Sequence, residues 1–160
     1  MGNNVALDID SYLAGVFDGE GCISAQHKEH YTYGTHRVGV PGRLYTRLYV
    51  NVAMTSQSVV RLFHERFGGG FHDGYLFQSG RTRYQWGVTG GTAIPALEVF
   101  SQLCVEKKRQ AELALELAHL LRDGRARGKR PEGYKVVGED EMRHRIELAE
   151  TITRLKRADT

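Results

Sequence analysis

Cysteine is scarce in this chain of 160 residues. There are two, Cys22 and Cys104, far apart and in no Cys-x-x-Cys pair. Buried free thiols in a reducing compartment are the expectation. No apolar run approaches the length of a membrane-spanning helix. Met1 to Asp10 lacks the basic-then-apolar order of a signal segment, so an intracellular protein is expected. Asparagine is down to three residues, and arginine outnumbers lysine 16 to 6. That bias suggests a GC-rich bacterial or phage genome. Excess charge of one sign is missing too: 22 Lys and Arg against 19 Asp and Glu leave +3. So small a sum does not argue for nucleic acid, and the placement of the charges has to decide. The seven histidines show neither zinc spacing nor an HNH pattern. His27 and His30, three apart on a strand, face opposite sides.

What is present is the composition of a soluble globular domain, 41% hydrophobic and 26% charged. One domain over residues 1–160 can bury a core without staples. A first helix is expected from Asp10 or Ser11, both good N-caps, to Gly19. Strands follow over Cys22 to His30 and Arg43 to Thr55. In the second, Leu48, Val50, Val52 and Met54 point one way and Arg47, Tyr49 and Asn51 the other, so one face of the sheet is covered and one bare. Ser56 to Phe67 reads as a helix with the stripe Val59, Val60, Phe63 and Phe67. Phe71 to Phe77 and Arg83 to Thr89 read as strands joined by Gln78-Ser79-Gly80. Thr92 caps a helix through Cys104 that tolerates Pro95 in its first turn. Helices over Glu106 to Arg122 and Glu139 to Arg157 complete the chain, with a basic, glycine-bearing loop over 124–138 between them. The order is αββαββα plus further helices. No sequence repeat and no interdomain linker is visible, and one α+β domain is expected.

The informative stretch is Leu13-Ala14-Gly15-Val16-Phe17-Asp18-Gly19-Glu20-Gly21. Gly15 and Gly19 sit four apart on one helix face, where each costs about 1 kcal/mol relative to alanine. Two glycines on one face suggest close approach by another helix. The chain holds one such helix, so the partner is its copy in a two-fold dimer. Glu20 lies at the helix C-terminus, where the dipole disfavours an acid. A divalent cation reverses that penalty. The dimer axis would bring two Glu20 carboxylates together as a hard-oxygen site suited to magnesium and to metal-assisted phosphodiester hydrolysis.

This segment resembles the LAGLIDADG motif of the homing endonucleases, with seven of nine positions identical or close in type. The resemblance implies the αββαββα fold, a curved antiparallel sheet with helices on one face and DNA on the other. One motif implies the homodimeric branch, with Leu13, Gly15, Val16 and Gly19 at the dimer interface. It implies that Glu20 ligates the catalytic metal, that the Gly19 carbonyl assists, and that Asp18 is structural and caps the turn. Lys107 and Gln110 match the family's Lys-x-x-Gln near the scissile phosphates and activated water. Ser56 and Gln57 are alternative candidates for a water-holding residue after the second strand. Val60 stands near the place where some members carry an arginine, and Arg61 is only its neighbour.

The implied activity is an intron-encoded, site-specific endonuclease that breaks both strands of a long, pseudo-palindromic site, leaving 3′ overhangs. Mg2+ is the implied cofactor, with Mn2+ substituting and Ca2+ supporting binding without cleavage. The partners are double-stranded DNA and a second copy, with no membrane and no small-molecule substrate. The alternative is a cleavage-inactive DNA-binding regulator or RNA maturase of the same fold. On the bare sheet face, Ser24, Gln26, Lys28, His30, Arg43, Arg47, Tyr49, Asn51, Arg83 and Gln85, with Arg81 nearby, are side chains of the types that read base edges. Such a face is also that of any half-exposed sheet. Tyr33 and Arg37 in the loop 30–43 join this set. Arg125, Arg127, Lys129, Arg130 and Lys135 suit phosphate contact or a solvated loop equally.

Overall fold

Alternation along residues 47–54 puts Leu48, Val50 and Val52 wholly inside and leaves Arg47 exposed. That pattern organises the molecule. In the computed structural model, residues 8–30, 43–76, 80–126 and 137–158 are described, without the side chains of 28–30, 43, 44, 75, 76 and 124–126. The elements run α1 (Ile9–Glu20), β1 (Gly21–His30), β2 (Arg43–Met54), α2 (Gln57–Phe67), β3 (Gly70–Leu76), β4 (Thr82–Thr89), a short 3-10 turn (Gly90–Ala93), α3 (Ile94–Leu103), α4 (Lys108–Ala126) and α5 (Glu139–Ala158). This is the expected αββαββα order followed by further helices.

The four strands form one antiparallel sheet in the order β1-β2-β4-β3. Its apolar face takes the helices. Leu13 and Phe17 of α1, Val60, Phe63 and Phe67 of α2, Leu97 and Phe100 of α3, Leu117 of α4, and Leu148 and Ile152 of α5 meet Ile23, Leu48, Val50, Val52, Trp86 and Val88 in one core. Phe17 stacks on Phe100 at 4.0 Å between centroids. The buried indole of Trp86 donates to the Gly68 carbonyl at 2.7 Å, so its one polar atom is satisfied. Among the described residues, no helix is long and apolar enough to cross a membrane.

Several boundaries differ from the sequence expectation for local reasons. The α1 N-cap is Asp8, whose carboxylate accepts from the Asp10 amide at 3.2 Å and the Ser11 hydroxyl at 2.5 Å. Asp10, expected as the cap, lies inside the helix and pairs with Arg66 of α2 through two bonds of 2.7 and 2.9 Å. Thr92 closes the 3-10 turn against the Thr89 backbone, and α3 begins only after it, with Pro95 in its first turn. α4 starts at Lys108 rather than Glu106. Cys104 is buried as expected, whereas Cys22 is half-buried. The turn residues Gln78 and Ser79 lie outside the described residues, as does most of the loop 124–138.

Candidate active site and nucleic-acid face

The last turn of α1 delivers three residues of the motif to one place. Gly21 ends the helix, its amide donating to the Phe17 carbonyl. A Cβ at Gly21 would stand 2.3 Å from the Phe17 ring and 2.5 Å from its carbonyl oxygen, so only glycine lets the chain turn into β1 there. Asp18 points back into the protein. Its carboxylate accepts the backbone N–H groups of Val105 at 2.7 Å, Glu106 at 3.1 Å and Lys107 at 2.9 Å. It thus ties the segment that leads from α3 into α4 to the end of α1. Partial burial works against its charge, but those amides and the nearby Lys107 ammonium prevail and hold the carboxyl below its ordinary 3.8. Glu20, by contrast, is exposed at the helix end.

Lys107 sits between α3 and α4. Its ammonium donates to the Asp18 carbonyl, which fixes a positive charge beside the turn that carries Gly19 and Glu20. Gly19 belongs to the last four residues, whose carbonyls have no partner within the helix. Cys104, between α3 and this turn, is pushed up to about 12, first by burial and then by the Asp18 charge, so its thiol stays protonated.

The structure separates other expected site residues from this cluster. Gln110 is 4% exposed, enclosed at the base of α4. The Gln57 side chain donates to Asp73 of β3 at 3.0 Å. Arg61 lies 5.1 Å over the Phe71 ring, and Val60 is buried. Leu13, expected at a dimer interface, is fully buried in this chain's own core, because helical periodicity groups it with Ala14 and Phe17. The opposite face of α1 is open: Tyr12, Gly15 and Gly19 are exposed and Val16 half-buried. A Cβ on Gly15 or Gly19 would meet nothing within 4 Å. Close packing within this chain therefore does not require either glycine. Val105 and Leu103, 79% and 44% exposed, add apolar surface near the end of the helix that Asp18 ties to this loop.

The bare sheet face carries the expected polar set in register. Ser24 pairs with Tyr49, Gln26 with Arg47, and Ala53 with Gln85. Ser24, Gln26, Arg47 and Tyr49 line a shallow cavity on it. Arg83 donates to the Ala53 carbonyl at 3.2 Å, and Arg81 is exposed just before β4. Lys28, His30 and Arg43 hold strand positions, but their side chains, and Tyr33 and Arg37 entirely, lie outside the described residues. His27 is on the helix side, 3.3 Å from the Thr46 hydroxyl.

Two residues at this face were not anticipated. His72 of β3 pairs in register with Gln85, a place that period two after inward-facing Phe71 would have revealed. Lys156, in the last turn of α5, reaches Cys22 Sγ at 3.0 Å and Ser24 Oγ at 3.4 Å. No local signal joins positions so far apart in sequence. Among the described residues, no group of three or more His, Cys, Asp or Glu is gathered to hold a metal.

No family model matches the chain, and no curated protein matches it in sequence. Solved structures do match. The homing endonuclease I-CvuI, in complex with its target in the presence of 2 mM Ca, aligns at TM-score 0.65 and 20% identity over 91% of this chain and 80% of that one. The homing endonuclease I-TnaI aligns at TM-score 0.60 and 17% identity over 94% and 95%. The LAGLIDADG homing endonuclease I-GzeII, in complex with a DNA target, aligns at TM-score 0.61 and 13% identity, with 88% of this chain spanning 43% of that one. The helix that ends in Glu20, the four-stranded sheet and the helices behind it thus make up the fold of the LAGLIDADG homing endonucleases.

Proposed function

We propose that this protein is a site-specific DNA endonuclease that works as a homodimer with a divalent metal, making double-strand breaks with 3′ overhangs in a long, pseudo-palindromic site. The observation that carries this reading is the junction of α1 and β1. An exposed carboxylate, Glu20, stands where a helix with an open glycine face meets a polar sheet face.

The open positions over Gly15 and Gly19 favour a second α1 packed against the first, with Tyr12 and Val16 beside the crossing. Of the two acids in this turn of α1, Asp18 is committed to three amides and Glu20 is left exposed. A two-fold copy supplies the second carboxylate that a hard-oxygen site needs. The donor set then fits magnesium, held by Glu20 and the Gly19 carbonyl of each chain. Manganese is expected to substitute and calcium to support binding only. The bound ion would polarise the scissile phosphodiester and lower the pKa of an attacking water. Lys107, anchored on Asp18, sets a fixed positive charge beside the cleaved phosphate. Gln110 and Gln57 take structural roles, being buried and held by Asp73 respectively. The bare face meets the major groove with Ser24, Gln26, Arg47, Tyr49, Asn51, Arg83 and Gln85, continued by Lys28, His30, Tyr33, Arg37, Arg43 and Arg81.

The test is Glu20→Gln assayed for binding in calcium and for cutting in magnesium. Near-normal binding with no cutting is expected, and retained cutting would overturn the metal assignment. A second reading, a cleavage-inactive DNA-binding regulator or RNA maturase, is favoured by the sparse surroundings of Glu20. Val60 is buried, Arg61 stacks on Phe71 and Gln57 is taken by Asp73. Site-selective binding without cut ends would decide for it.

A further inference from the structure

Gly87 lies inside β4, and a glycine in a strand interior marks a close approach. A Cβ there would stand 2.5 Å from Tyr49 Oη, 2.8 Å from its Cε2 and 2.9 Å from its Cζ. In register, Gly87 faces Asn51 and Tyr49 faces Thr89, so the phenol ring leans diagonally across the strand pair and rests on the Gly87 backbone. Gln85 then donates from Nε2 to Tyr49 Oη at 2.7 Å. The Arg47 guanidinium lies over the ring, 6.0 Å from its centroid. Two side chains on neighbouring strands are thereby held in one arrangement before any ligand arrives.

We propose that Tyr49 and Gln85 act as a single pre-set reader of adenine, with Gly87 as its positioning residue. The proposal rests on the reading of this sheet face as a DNA-binding surface. It follows from counting donors and acceptors. A tyrosine hydroxyl carries one proton and accepts through oxygen, and a glutamine amide has two N–H donors and one carbonyl. With one Nε2 N–H held by Oη, the amide keeps its second N–H as a donor beside its Oε1 acceptor, and the bond to the phenol fixes which way that pair faces. Adenine shows the complement in the major groove: N7 accepts beside the N6 amino donor. Guanine shows two acceptors, N7 and O6, and would set O6 against Oε1. Cytosine shows a donor alone. Thymine shows an acceptor and a methyl group. Adenine is the base whose edge satisfies both groups.

The experiment selects bound sites from a randomised library with the full-length protein, Tyr49→Phe, Gln85→Met, the double variant and Gly87→Ala. The unmodified protein should select adenine at one position, repeated once per half-site in a symmetric target. Each single variant should weaken the preference at that same position on the order of tenfold, leaving the others intact. The double variant should be no worse than the poorer single, as residues acting as a unit are not additive. Gly87→Ala should reproduce the loss at that position. Losses at different positions, additive losses, guanine preferred there, or lower thermal stability with an unchanged site profile would each overturn the proposal. Since the phenylalanine and methionine variants keep side-chain bulk, the outcome does not hang on Gly87→Ala folding. If the unmodified protein selects no site at all, the DNA-binding reading itself fails in that arm and the proposal falls with it.

Discussion

Asp18 shows how one motif residue does structural work at a distance. Its carboxylate accepts from three amides in the segment that leads into α4. Asp18→Asn removes the charge and part of that acceptor capacity, so a loss of about 1–3 kcal/mol in denaturant unfolding at pH 7 is expected. The pH dependence has a definite sign. The folded carboxyl is held below its ordinary 3.8, so it binds its proton less readily folded than unfolded. Its stabilisation is complete above that value and fades as pH falls through the folded pKa. The gap between protein and variant should therefore be constant above about pH 5 and shrink below pH 4. A gap that grows on acidification would contradict this. Cys104, pushed up to about 12 and buried, should resist alkylation at pH 8 while half-buried Cys22 reacts, as mass spectrometry of the labelled native protein would report.

At the scale of elements, α1 is a helix with two occupations. Its inner face anchors it: Phe17 is fully buried and stacked on Phe100. Phe17→Ala should cost about 3–5 kcal/mol. Its outer face carries glycines that this chain does not need for its own packing. Gly15→Ala should therefore stabilise the isolated chain by roughly 0.5–1 kcal/mol through helix propensity, and weaken self-association. Thermal melting read together with sedimentation velocity separates the two effects. A variant that dimerises as well as the unmodified protein would refute the outer-face assignment.

Much of this level was legible in the sequence. Period-two alternation gave the faces of β2, and the glycines and apolar stripes gave the helix order. The differences have plain causes. Asp8, Asp10 and Ser11 are all cap-type residues, and a salt bridge to Arg66, 56 positions away, decides which role Asp10 takes. The spacing of Lys107 and Gln110 was visible, but the burial of Gln110 depends on how α4 packs. Leu13 was readable: it shares the inner stripe with Phe17. The contact of Lys156 with Cys22 and Ser24 joins residues more than 130 positions apart, which only the assembled fold brings together.

For the whole molecule, a mild +3 hides an uneven layout, in which Arg47 and Arg83 share one sheet side, Arg81 is exposed just before β4, and the acids Asp10, Asp18 and Glu20 belong to α1. Binding through the sheet face should weaken steeply with salt, and Arg47→Ala should lower affinity and relax base preference together, unlike loss of a phosphate contact alone. The central claim is that Glu20 makes this fold a nuclease. The most direct test is to incubate purified protein, and Glu20→Gln in parallel, with a large randomised DNA library in magnesium, then capture and sequence the new ends. The account predicts ends at one long, roughly palindromic motif with the unmodified protein and none with the variant. No ends from the unmodified protein, or the same ends from both, would contradict it.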